Sequence, residues 1–453
     1  MTLVLRFDRG TLRLDDLPAS YDPPRAIWDD RTACFRAPAY AYDALLRDAR
    51  SRGVRVDDRV ASARLAAPLG CRAPSLRDYQ QAALDSWCLR GRGVVVLPTG
   101  AGKTRVAIAA IASCAVPALV LCPTRALLDQ WEREVGRAYD GDVGVMGDGE
   151  RRLEPLTVMT FASAHRHLDV HGARFGIVVV DEAHHAASGF VAEALEMCVA
   201  PLRLGLTATA PRAGSAEEAR LADLVGPIVC ELGVADLIGT HLAPLDLVQL
   251  RVALDPDERD RYERSYRPFA TLRAAFARAR PGSDWPSLVR ALGMSSDGRA
   301  ALRGFQRASA LAAFPSAKRA LVRTLLARHR DARTLVFAAS TDDAYAIGQD
   351  NLVPVITADI GRAEREEILA RFSGGRYRAI VSARVLNEGI DVPDASVAIV
   401  VGSSLGAREH VQRVGRVLRP APGKRALVYD LVTSATTDDR RASSRRGALD
   451  RPR

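Results

Sequence analysis

Gly100-Ala101-Gly102-Lys103-Thr104 follows the apolar run 94–97 and the pair Pro98-Thr99, and a helical pattern, RVAIAAIA, comes next. Strand, small-residue loop and helix is the order in which backbone N–H groups close around a phosphate chain, with the helix N-terminus adding its dipole. Thr99, Gly100, Ala101 and Gly102 would form that cradle, Lys103 would reach the β- and γ-phosphates, and Thr104 would ligate magnesium. Leu97 stands where the pattern GxxxxGK[ST] has its first glycine, so only the second half of the pattern is met. A phosphate-loop enzyme also needs a strand that ends in an acid. The run IVVV at 177–180, followed by Asp181 and Glu182, supplies it. Asp181 would hold magnesium, usually through water, and Glu182 would orient and deprotonate the attacking water.

His184 and His185 follow almost at once, and carboxylates beside histidines also suggest a hydrolytic metal site. A zincin carries histidines at i and i+4 of a helix, HExxH, and that spacing is absent. Five of the eight histidines, His165, His167, His171, His184 and His185, are crowded between 165 and 185. His167 and His171 can share a helix face, which keeps a metal site as the competing reading. No cysteine or carboxylate completes a ligand set at suitable spacing, so the cluster reads as surface and coupling residues.

These residues need a scaffold, and the bulk numbers bound it. A chain of 453 residues suggests about three domains. With 48% hydrophobic and 26% charged residues it is expected to be soluble and globular. The first residues, MTLVLRFDRGTLRL, carry charges where a secretory signal has its apolar stretch. The uncharged run 106–124 is broken by Pro117 and Pro123, which fits a buried helix and strand better than a membrane span. Seven cysteines without a CxxC pair point to reduced, mostly buried thiols in the cytoplasm. The net charge of +10 points to a polyanionic partner. Only three of the 64 basic residues are lysines, Lys103, Lys318 and Lys424, which suggests positions that need a compact ammonium.

The second half repeats the strand and helix alternation in TLVFAAS (334–340), PVIT (354–357), REEILARF (365–372) and AIVSA (379–383). A second parallel α/β sheet is the expectation, without a phosphate loop of its own. It carries VLNEGIDVP (385–393) and EHVQRVGRVLRP (409–420), where Gln412, Arg416 and Arg419 share a helix face. A solvated basic face is one reading of that helix. The other is that it supplies the guanidinium that stabilises charge on a transferring phosphoryl group.

Taken in order, LRDYQQAAL (76–84), LPTGAGKT, LCPTRALLDQW (121–131), MTFASAH (159–165), DEAHH, LGLTATA (204–210), TLVFAAS, VLNEGIDVP and QRVGRVLRP make the chain resemble the superfamily 2 helicases. Within these it is most similar to the XPB-type DNA helicases in their short archaeal and bacterial form. The resemblance runs nearly full length. It implies two RecA-like parallel-sheet motor domains of the α/β class, fuelled by ATP and Mg2+. It further implies that Gln80 reads adenine, that Gly389 and Asp391 meet the nucleotide, and that Arg416 and Arg419 act as arginine fingers beside Gln412. Thr207 and Thr209 would couple hydrolysis to movement, with His184 between the lobes. Arg125, Thr160, Arg212 and Thr357 would fall to DNA binding or coupling.

The same resemblance assigns residues 1–65 to a small damage-recognition-like α+β domain. Residues 66–245 become the ATP-binding motor domain, 246–315 a helical thumb-like insertion, 316–437 the second motor domain, and 438–453 a basic disordered tail. In the insertion, arginines alternate with Tyr262, Tyr266, Phe269 and Phe276, a pattern suited to backbone contact plus base stacking. One departure matters. The family has an Arg-Glu-Asp signature after LTAT, and 210–215 keeps only Arg212 of it. The reading is therefore an ATP-dependent DNA helicase or translocase tracking 3′ to 5′ in repair or transcription-linked duplex opening. Its partners would be a single-strand/duplex DNA junction and a nuclease, repair or transcription protein, with the chain a monomer away from the membrane. The alternatives are a duplex translocase that does not part strands, an RNA helicase, and an inactive DNA-binding scaffold.

Overall fold

Three alternating or β-branched stretches of the chain build three sheets. The computed structural model describes residues 2–18, 20–67, 70–147, 149–383, 395–402 and 424–442. The described chain divides between Gly233 and Val234 into two compact units.

The first unit opens with a sheet of five short strands, β1 (Leu3–Asp8), β2 (Thr11–Asp15), β3 (Ile27–Asp29), β4 (Cys34–Pro38) and β5 (Val56–Asp58), ordered β3-β4-β2-β1-β5. Alternation in β2 buries Leu12 and Leu14, which pack with Leu3, Leu5 and the helix Tyr42–Ser51. That small core also takes in Ala173 and Val199 from the neighbouring layer, so the two sheets of the unit share apolar contact.

The neighbouring sheet has eight strands: β6 (Arg92–Val96), β7 (Ala118–Cys122), β8 (Gly144–Gly147), β9 (Glu150–Arg152), β10 (Leu156–Thr160), β11 (Ile177–Asp181), β12 (Leu202–Thr207) and β13 (Ile228–Glu231). Their order is β13-β6-β12-β11-β7-β10-β8-β9, all parallel except the edge strand β9. Runs such as VVV and ALVLC have no polar face, because helices cover both sides of such a sheet. Register then fixes the working edge. Val96 pairs with Thr207, Leu206 with Asp181, Leu121 with Val180, and Cys122 with Thr160. Every candidate site residue that ends a strand therefore lies along one border.

Arg203 of β12 is fully buried, and backbone carbonyls receive its side chain. Its guanidinium donates to four backbone carbonyls: Ala200 at 3.0 Å, Leu224 at 2.7 Å, Leu195 at 3.3 Å, and Cys198. Leu195, Cys198 and Leu224 lie at or just past the C-terminal ends of the helices Gly189–Glu196 and Ala216–Leu224, where carbonyls lack helical partners and the dipole is negative. Burial pushes this guanidinium down to about 10, so it remains charged at neutral pH.

The second unit holds a six-stranded sheet, all parallel: β14 (Leu245–Val252), β15 (Thr334–Ala338), β16 (Val355–Ile356), β17 (Ala379–Ala383), β18 (Val397–Val400) and β19 (Ala426–Thr433), ordered β14-β19-β18-β15-β17-β16. β14 pairs with β19 along its whole length, so it belongs to the second sheet and not to the insertion expected from 246, and the second unit begins at Val234, before the expected division at 245. Between β14 and the helix Ser316–Arg328 stand the helices Pro256–Ala279, Trp285–Gly293 and Ser296–Ala313. Asp255 and Glu258 form a capping box with Pro256 in the first turn, and Glu258 also accepts the Ser316 N–H at 2.8 Å, closing the base of the insertion.

Two expectations change here. Two of the insertion's aromatic rings belong to its own core: Tyr262 and Phe269 are buried, Tyr262 stacks on the half-buried Tyr266 at 5.5 Å, and Phe269 lies 4.4 Å from Phe305. Bases cannot reach buried rings, whereas Arg261, Arg264, Arg267 and Arg273 are exposed and suit phosphate contact. The tail does not begin at 438, because Asp438 is buried against the fully buried Lys318, Oδ2 to Nζ 2.7 Å. Lys318 also donates to the carbonyls of Val401 at 2.6 Å and Ala313 at 3.3 Å, a setting that suits a compact ammonium.

Replacing Arg203 by Met should leave four carbonyls without their donor and lower the stability of the first unit by about 3 kcal/mol. Arg203→Lys should recover only part of this, since one ammonium cannot span two helix ends. Urea unfolding monitored in both variants checks it; a wild-type midpoint for Arg203→Met would show that the carbonyls need no guanidinium.

Candidate active site

The loop after β6 turns from Pro98, whose carbonyl accepts the Ala101 N–H at 3.1 Å. Gly102 caps the helix Lys103–Cys114 with φ 77° and ψ 39°, a left-handed conformation open to glycine at little cost. A Cβ there would lie 2.5 Å from Gln80 Nε2, so side-chain bulk is excluded as well. No side chain caps this helix, and its first-turn N–H groups are left to the loop. A donor-lined, side-chain-free turn at a helix N-terminus fits a triphosphate. Lys103 lies at its base with Nζ 3.2 Å from the Leu97 carbonyl, and Thr104 is partly exposed beside it.

Gln80 stands against the phosphate loop. Its Nε2 donates to the Ala101 carbonyl at 2.8 Å, and its Oε1 accepts the Arg77 N–H at 3.0 Å. Tyr79 donates its hydroxyl to the same Ala101 carbonyl at 2.7 Å. Two side chains of the helix Asp78–Cys88 thus clamp the middle of the phosphate loop.

Asp181 and Glu182, at the end of β11, are 8% and 9% exposed. Asp181 Oδ1 accepts the Glu182 N–H at 3.0 Å, and Oδ2 accepts the Trp131 indole N–H at 2.9 Å. Glu182 adopts φ 50° and ψ 51°, a left-handed conformation that costs a non-glycine residue about 1 kcal/mol or more. Such strain turns the chain sharply out of the sheet and holds the two acids at its border.

Next in line is His184, whose Nδ1 lies 3.1 Å from Thr207 Oγ1 and 3.5 Å from Glu182 Oε2. The Thr207 hydroxyl donates its only proton to the Thr209 carbonyl at 3.1 Å and accepts the Thr209 N–H at 3.2 Å. It thus bridges the histidine ring and the Thr209 backbone, and the row Glu182, His184, Thr207 and Thr209 runs from the end of β11 to the loop after β12. His185 lies against Phe161, with ring centres 6.2 Å apart, and His165 pairs with Glu193 at 2.8 Å. Among the described residues no group of three or more histidine, cysteine or acidic side chains is placed to hold a metal ion.

The remaining expected residues are scattered. Arg125 is exposed at the first turn of the helix Arg125–Ala138, and Arg212 is exposed in the turn after β12. Thr160 spends its hydroxyl capping the helix Phe161–His171, accepting the Ser163 N–H at 3.2 Å. Thr357, in the second unit, is fully buried with its hydroxyl 3.2 Å from that of Tyr345. Gly389, Asp391, Gln412, Arg416 and Arg419 lie outside the described residues. Trp131 and Tyr79 were missed as site residues. Both stand inside recognisable motifs, yet nothing in a sequence tells a ring that packs from a ring whose polar atom reaches the site.

Comparison with known proteins agrees with this geometry. Residues 5–60 match the Xeroderma pigmentosum group B helicase damage recognition domain, 73–212 the Type III restriction enzyme res subunit, and 317–421 the helicase conserved C-terminal domain. The DNA 3'-5' translocase XPB2 of Sulfurisphaera tokodaii is 34% identical over 98% of this chain and 99% of its own length. The DNA 3'-5' helicase XPB of Mycobacterium tuberculosis is 30% identical over 83% of this chain, which spans only 63% of that longer protein. The crystal structure of the Pyrococcus furiosus Hef helicase domain shares the fold, with a TM-score of 0.50 at 18% identity over 82% of this chain and 98% of that one. With a relative at this identity matched end to end, and a damage recognition domain preceding helicase segments in sequence, the chain belongs to the XPB family of helicases and translocases.

Proposed function

We propose that the chain is an ATP-driven DNA translocase that tracks 3′ to 5′ and serves repair or transcription-linked duplex opening. The observation that carries this reading is the row of side chains at the strand ends: Asp181 and Glu182, then His184 with its Nδ1 3.5 Å from Glu182 Oε2 and 3.1 Å from Thr207 Oγ1, and Thr207 bonded to the Thr209 backbone. A row of this kind relates the state of a phosphate site to the loop after β12. The names of the XPB relatives supply direction and polymer.

In this reading the loop 98–104 binds the triphosphate and Lys103 moves from the Leu97 carbonyl onto it. Magnesium, when bound, supplies charge neutralisation at the β- and γ-phosphates. Thr104 and Asp181 would hold it, Asp181 through water. Glu182 takes the proton of the attacking water, and the His184 ring, between the Glu182 carboxylate and Thr207, relates the position of one to the other. The basic surface and exposed arginines follow DNA phosphates, and the chain works in the cytoplasm as a monomer beside a nuclease, repair or transcription partner. Gln412, Arg416, Arg419, Gly389 and Asp391 keep the roles that their motifs imply.

Translocation without strand parting is the second reading, and the turn after β12 favours it. Arg212 stands there without neighbouring acids in 211–215, and Glu218, in the helix that follows, is folded back onto the Gly214 N–H at 2.7 Å. Breaking each base-pair step opposes the motor by about 1.4 kcal/mol on average.

Lys103→Ala should abolish ATP turnover and leave DNA affinity close to wild type, measured by phosphate release and by anisotropy of labelled DNA. DNA-stimulated turnover in that variant would remove Lys103 from the site. Glu182→Gln should still bind ATP but hydrolyse it about a hundredfold more slowly. Turnover at the wild-type rate would mean another base. Triplex displacement should be efficient while a 3′-tailed duplex is opened weakly under the same conditions. Fast, processive unwinding by the isolated chain would show that Arg212 needs no acidic neighbours, and loss of both activities despite ATPase would refute the motor reading.

A further inference from the structure

We infer that Trp131 is a positioning residue for the Asp181 carboxylate, linking the helix Arg125–Ala138 to the metal side of the nucleotide site. The inference rests on the functional reading above for what Asp181 does, but not for the contact itself. Trp131 is 1% exposed, and its indole N–H meets Asp181 Oδ2 at 2.9 Å while the Glu182 N–H meets Oδ1 at 3.0 Å. One donor on each oxygen fixes both the position of the carboxylate and the rotation of its plane. Each charge-assisted bond is stronger than a neutral one. An indole has a donor and no acceptor, so Trp131 can only donate to the carboxylate, and it holds it in one orientation.

The helix behind the indole holds the donor in place. Thr124 caps it, accepting the Leu127 N–H at 3.3 Å, and Leu127, Leu128, Trp131 and Val135 form its buried stripe. Arg125 is exposed in its first turn, six residues from Trp131, a rise of about 9 Å. The buried stripe of this helix thus seats the Asp181 donor in its middle, about one and two-thirds turns from Arg125. Cys122 beside the carboxylate is no competitor, because burial, with Asp181 and Asp129 nearby, holds its thiol well above the usual range and neutral.

Two measurements test this. Indole N–H signals of the 15N-tryptophan-labelled full chain need neither nucleotide nor DNA. The four tryptophans are Trp28, Trp87, Trp131 and Trp285, and Trp28→Phe and Trp285→Phe, both at exposed positions, assign two signals. Of the two buried indoles, Trp87 donates to the Arg203 carbonyl at 2.8 Å. Asp181→Asn should move one buried signal and leave the other in place; if neither moves, the contact does not exist. Trp131→Phe then keeps the ring and removes the donor. The gain in fluorescent-ADP affinity on adding Mg2+ should shrink about tenfold relative to wild type, with DNA affinity unchanged. An unchanged Mg2+ gain in a folded Trp131→Phe would reduce Trp131 to a packing residue. Wild-type chain without any ATPase would instead overturn the functional reading, leaving the indole result to stand or fall by itself.

Discussion

Everything catalytic in the first unit depends on the parallel pairing of β6, β12, β11, β7 and β10. Parallel strands cannot be joined by hairpins, so each return passes through a crossover, and all the strands end on the same border. Register brings Val96, Thr207, Asp181, Cys122 and Thr160 into line there. A slip of one residue would turn every side chain to the other face, and the fully apolar strands prevent slip only through their flanking helices. The caps, the left-handed Gly102 and Glu182, and the buried Arg203 all act at or behind this border.

The site is built by backbone groups as much as by side chains. Ala101 offers its carbonyl to Tyr79 and Gln80, Leu97 offers one to Lys103, and Glu182 gives its own N–H to Asp181. This division has a physical basis. Backbone groups cannot change rotamer, so a loop anchored through them returns to the same shape after each ligand leaves. Side chains such as Lys103 and His184 are left as the parts that move.

Much of this was legible in the sequence because period and punctuation are local. The strand–loop–helix around Lys103, the acidic strand end at Asp181 and the second parallel sheet all follow from short windows of residues. What escaped depends on distant partners. Arginine and aromatic alternation reads alike whether rings stack on bases or on Phe305. That Tyr79 and Gln80 both reach the Ala101 carbonyl is likewise set by the folded loop and not by their sequence neighbours. Asp438 looks like the start of a charged tail until Lys318, far away in the chain, is placed against it. The scarcity of lysine hinted that Lys318 had a special position, but not which acceptors surrounded it.

The pairing of β14 with β19 carries a consequence for how the protein is made. β14 spans Leu245–Val252 and its partner Ala426–Thr433, so the opening strand of the second sheet must wait for the closing one. During synthesis the first unit has all of its strands once Glu231 has emerged, and it can fold as it leaves the ribosome. The second sheet has no such option. β14 and the helices that follow it are displayed with an unfilled edge until the end of β19 is free, and only then can Asp438 neutralise the waiting ammonium of Lys318. Assembly of the second unit is therefore a late, all-at-once event, and its exposed strand edge in that interval is where a chaperone has most to offer.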